Sequence, residues 1–107
     1  MTESGARTDW QVAECLLPGL TPASAELLAT QIRAALAGQP GAGVSFLGAL
    51  LMTEDEVLLC LFRGPQQAVR AVSERAGLPF ERILACQGLG WRPEPRAGGL
   101  GQLPQSP

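Results

Sequence analysis

Residues 54–83 read EDEVLLCLFRGPQQAVRAVSERAGLPFERI, and the order of apolar runs and breakers in them decides the fold. Val57 to Phe62 is a dense apolar run, and Gly64-Pro65 closes it. From Pro65 to Ala76 the residues Ala68, Val69, Val72 and Ala76 share one stripe at helical spacing, while Gln66, Arg70, Glu74 and Arg75 lie elsewhere. Gly77 stands where a helix ends on a left-handed residue, and Leu78-Pro79 leads to a second apolar run. The segment reads as strand, helix, strand.

The same order precedes it. Trp10 to Leu17 reads as a strand stopped by Pro18-Gly19, and Thr21-Pro22 then supplies an N-cap and a first-turn proline. Leu27, Leu28, Ile32, Ala35 and Leu36 recur at helical spacing, predicting a helix over about residues 22–37 that Gly38 ends. After the breakers of Gln39 to Gly43, the runs Val44–Met52 and Glu56–Arg63 are joined by the short link Thr53-Glu54-Asp55, which predicts a hairpin. Phe80 to Trp91 is the last predicted strand. The sum, β-α-β-β-α-β, is an α+β fold of ferredoxin-like type: a four-stranded antiparallel sheet with two helices on one face. It occupies residues 10–92, between an N-terminal extension (1–9) and a Pro/Gly-rich C-terminal tail (93–107) without periodicity.

Period-two alternation then separates the two faces of each strand. Phe62, Cys60 and Leu58 are expected under the helices, which turns Val57, Leu59 and Leu61 to the open face. A sheet with one wet face should alternate with polar residues, and this strand does not. In the preceding strand both sets, Val44/Phe46/Leu50/Met52 and Leu47/Ala49/Leu51, are apolar as well. The simplest cover for such a face is a second copy stacked sheet to sheet, giving a homodimeric α+β barrel with Val57, Leu59 and Leu61 at its interface. Another protein, or the chain's own tail docked there, would serve the same end.

Composition narrows the chemistry. The 107 residues suit one domain, with 46 % hydrophobic and 17 % charged residues. Every basic residue is Arg, and Lys, His, Tyr and Asn are absent, a bias typical of GC-rich bacterial coding. Without His there is no Ser-His-Asp triad, Cys-His dyad or imidazole ligand. The N-terminal residues lack the basic and apolar parts of a secretory signal, and the longest apolar run is far short of a bilayer span. A cytoplasmic protein without membrane association is expected. Cys15, Cys60 and Cys86 fit no disulfide framework or metal knuckle and read as small core residues.

Among candidates for chemistry, Glu14 lies in a central strand, where apolar surroundings would suit its carboxylate to acid/base catalysis; the alternative is a strand glutamate paired with Arg63 or Arg92. Cys15 and Cys60 fall on neighbouring strands on the helix-covered side. Trp10 and Trp91, near strand ends, are placed to stack on a ligand. Nucleic-acid binding is excluded: the positions where single-stranded RNA modules carry stacking aromatics hold Val57, Leu59 and Leu61, and the net charge is −2.

Val44-Ser45-Phe46-Leu47-Gly48, Val57 to Phe62, Ala68 to Val72 and Ala76-Gly77-Leu78-Pro79-Phe80-Glu81-Arg82-Ile83 together resemble a family of small bacterial ferredoxin-like domains of unknown function, also catalogued as nickel-binding-protein-like. The resemblance covers about residues 10–87 and implies a compact dimeric domain, with metal binding in one branch. The family's metal sites use histidine, which this chain lacks. No cofactor and no metal residues are therefore expected. The leading expectation is a non-enzymatic binding or regulatory homodimer for a small apolar ligand or another protein. The alternatives are a cofactor-independent α+β barrel enzyme, monooxygenase- or isomerase-like, with Glu14 as acid or base, and a nickel-binding protein.

Overall fold

In a computed structural model that describes residues 9–89, the chain runs β1 (Trp10–Leu16), α1 (Pro22–Ala37), β2 (Ser45–Met52), β3 (Val57–Arg63), α2 (Gln66–Arg75) and β4 (Arg82–Cys86). The strands form one antiparallel sheet in the order β2-β3-β1-β4. Both helices lie on one face, α1 against β2 and α2 against β1 and β4. This is the ferredoxin-like arrangement. No helix among the described residues is long and apolar enough to cross a membrane.

The helix ends follow from local chemistry. Thr21 Oγ1 accepts a hydrogen bond from the Ser24 amide at 3.1 Å, and Pro22 sits in the first turn where no amide hydrogen is needed. At the end of α2, the Leu78 amide donates to the Ser73 carbonyl and the Gly77 amide to the Glu74 carbonyl. Gly77, at φ +72°, supplies the left-handed turn that this pair of bonds requires.

Register assigns every strand residue to a face. On the covered side three rows cross the sheet: Phe46-Phe62-Gln11-Ala85, Ala49-Cys60-Ala13-Ile83 and Leu51-Leu58-Cys15. Phe62, Leu58, Cys60, Ala13 and Cys15 are buried beneath Ile32 of α1 and Val69 of α2. The Phe46 and Phe62 rings meet at 5.4 Å between centroids, tilted by 46°.

Three expectations need correction. A bulge between Phe46 and Gly48 leaves Leu47 without a partner, so parity reverses along β2. Phe46 therefore shares the covered face with Ala49 and Leu51, whereas Gly48, Leu50 and Met52 share the open one. Leu27 is 60 % exposed, because the buried stripe of α1 passes instead through Ala25, Leu28, Ile32 and Leu36. The last strand is shorter than Phe80–Trp91: Phe80 turns in to pack on the core, and pairing with β1 runs only from Arg82 to Cys86, opposite Glu14 to Trp10.

Gly64 joins β3 to α2 and donates its amide to the Asp9 carbonyl at 2.7 Å. Its φ is +144°, and a Cβ there would sit 2.7 Å from the Gly43 carbonyl oxygen. Gly64→Ala is expected to destabilise the fold by at least about 2 kcal/mol in urea unfolding, through backbone strain and this clash. Phe62→Ala, which opens a cavity in the covered face beside Phe46, should cost about 3–5 kcal/mol in the same assay.

Candidate functional site

The open face of the sheet carries four rows: Ser45-Arg63-Trp10-Cys86, Gly48-Leu61-Val12-Leu84, Leu50-Leu59-Glu14-Arg82 and Met52-Val57-Leu16. Val57, Leu59 and Leu61 are half-buried, while Leu16, Leu50, Met52 and Leu84 remain exposed, Leu50 to 60 %. The two middle rows and the Met52 row form a continuous apolar patch, interrupted by a single ion pair.

That pair is Glu14 with Arg82. Arg82 Nε donates to Glu14 Oε1 at 2.6 Å across the β1–β4 ladder, with the side chains 22 % and 62 % exposed respectively. Among the described residues the partner of the glutamate is thus Arg82, its direct neighbour in register, and not Arg63; Arg92 lies outside the described residues. A pair this open to water contributes at most about 1 kcal/mol to stability. Trp10 belongs to the end row and is only 2 % exposed. Trp91 and the tail of residues 93–107 lie outside the described residues.

On the opposite side of the sheet, Cys15 and Cys60 are diagonal neighbours in adjacent rows, both fully buried. The Cys60 thiol donates a hydrogen bond to the Cys15 sulfur, which pushes Cys60 far above the ordinary thiol value, with burial adding to the effect; the bond it accepts holds Cys15 lower. Cys86, at the end of β4, is half-buried and is pushed up by burial. Among the described residues no three Cys, Asp or Glu side chains gather into a metal-sized cluster, and the chain has no His. A nickel site of the kind the resemblance implies does not fit these residues.

The sheet also bounds a cleft of about 290 Å³ between α1 and β2. Ala25 and Ala29 form its helix wall, and Phe46, Ala49, Leu51 and Leu58 its sheet wall. The opening exists because small residues face each other there. Glu26 and Arg33 lie along its rim, and the Arg33 guanidinium sits over the Phe46 ring, 5.4 Å from the centroid. A smaller cavity of about 160 Å³ lies at the β2 bulge against Leu61. Glu14 lines neither. The stripe used to place α1 held Leu27 rather than the alanines, so the cleft was not legible from helical spacing; Ala25 and Ala29, four residues apart and facing a Gly48-Ala49 edge, were the available signal.

No family model and no curated protein matches the chain. Among solved structures it is similar to SCO4226 from Streptomyces coelicolor A3(2), at 26 % identity over 72 % of this chain and 94 % of that one, with a TM-score of 0.57. The likeness supports a small fold of a kind found in bacteria.

The burial pattern makes a direct prediction for thiol chemistry. In the native protein near pH 8, Ellman's reagent should react slowly with Cys86 and leave Cys15 and Cys60 untouched, whereas guanidinium should release all three. Because burial disfavours the Cys86 thiolate, its native reactivity should rise only as pH passes above the ordinary thiol value of 9.0. Rapid native modification of Cys15 or Cys60 would show that the covered face is not packed as described.

Proposed function

We propose that this protein is a non-enzymatic binding or regulatory module of the cytoplasm that works as a homodimer, two copies stacking through their open sheet faces. The observation that carries the reading is the apolar surface of Val12, Leu16, Leu50, Met52, Val57, Leu59, Leu61 and Leu84, crossed only by the Glu14–Arg82 pair among the described residues. A patch of a few hundred square ångströms is at the upper end of what a lone soluble domain exposes. Burying it at roughly 25 cal/mol per Å² contributes several kcal/mol per copy before the cost of association.

A two-fold axis through the sheet would bring each patch against its own copy, the self-complementary case. Glu14 and Arg82 would already satisfy each other inside that interface, so stacking would bury a neutral pair rather than a lone charge. The enzyme and metal-carrier readings have less support. Glu14 is tied to Arg82 away from either cavity, and the nickel alternative lacks a clustered ligand set among the described residues.

The test is the mass in solution of the full chain, by native mass spectrometry or light scattering. A dimer is expected, and Leu59→Glu, which places a second carboxylate directly opposite Glu14, should shift it to monomer while preserving far-UV circular dichroism. A wild-type monomer at micromolar concentration would remove the basis of the proposal.

A further inference from the structure

The cleft on the helix-covered side is separate from the open face, and its chemistry is specific enough to name an occupant. We propose that it binds a small monocarboxylic acid with an apolar or aromatic body, the carboxylate held by Arg33. This rests on the binding-module reading but not on the dimer.

Three observations converge on that class. The walls are Ala25 and Ala29 on one side and Phe46, Ala49, Leu51 and Leu58 on the other, so the interior accepts an apolar body. At about 290 Å³, the space lies at the small end of ligand pockets and suits a single ring or a short chain. The charges sit at its rim, Glu26 and Arg33, seven residues apart on α1 and so about 10.5 Å along the helix axis.

Among the described residues neither charge has an ion-pair partner, and the two turns of helix between them keep them from pairing with each other. The Arg33 guanidinium carbon lies 5.4 Å from the Phe46 ring centroid. No hydrogen bond or ion pair among the described residues uses its N–H groups, and their fork matches the two oxygens of a carboxylate. Glu26 at the far end repels a second acid group and accepts a hydrogen bond from a hydroxyl or amino group there. The pattern favours a monoanion over a dicarboxylate, and a para-hydroxylated ring over a plain one.

The probes are phenylacetate, 4-hydroxyphenylacetate, hexanoate and succinate, titrated into the isotope-labelled full chain and followed by amide NMR shifts. The three monocarboxylates should give saturable shifts over residues 22–33 and 46–51, and succinate should bind more weakly. Arg33→Gln, on an exposed helix position, should weaken phenylacetate by about tenfold or more. Ala29→Leu should block the cleft with no loss of thermal stability. Glu26→Gln should weaken 4-hydroxyphenylacetate relative to phenylacetate. The proposal fails if none of the monocarboxylates gives saturable shifts in the millimolar range, if shifts gather on Val57, Leu59 and Leu61 instead, or if Arg33→Gln binds as well as wild type. Repeating the titration with Leu59→Glu separates the two proposals: loss of the dimer should leave this site intact.

Discussion

β3 is hydrogen-bonded on both edges, to β2 and to β1, and this fixes the direction of each of its seven side chains. Leu58, Cys60 and Phe62 have only the helices to face, and Val57, Leu59 and Leu61 only the side without them. Among the described residues, the helices bury the first set alone. The core, the position of both helices and the exposed apolar layer all follow from that division. Gly64 permits it, because the chain must leave β3 beside the Gly43 carbonyl at a distance no side chain tolerates.

Much of this was legible in the sequence. The bounds of α1 follow from Thr21-Pro22 and Gly38, and the end of α2 from Gly77, because capping chemistry is local and its residues announce it. The faces of β3 follow from period two. The faces of β2 do not follow from period two, since one unpaired residue at Leu47 reverses the assignment of everything after it; the lone Gly48 inside the apolar run was the available signal. The partner of Glu14 was equally hidden: which arginine stands opposite depends on the β1–β4 register, a long-range property. Gln11, buried on the covered face with its Nε2 donating to the Gly64 carbonyl at 3.2 Å, has no sequence signature either.

The candidate sites divide by the same logic. A surface made of many similar apolar residues is readable from composition and alternation, whereas the cleft beside α1 depends on where small side chains on two elements coincide in space. The thiol pair illustrates a middle case. The topology brings Cys15 and Cys60 together on neighbouring strands as the chain order implies, but their full burial leaves them as packing groups, with the hydrogen bond between them filling the role of a contact.

The bulge in β2 also governs how copies of this molecule can meet. An eight-residue apolar strand at the border of a sheet offers a row of amide and carbonyl groups on which further strands could add without limit, the growth mode of ribbons and fibrils. Leu47 and the φ of +136° at Gly48 break that row near its middle. The opposite border, β4, is five residues long and begins with a charged arginine. Lateral growth is therefore discouraged at both margins.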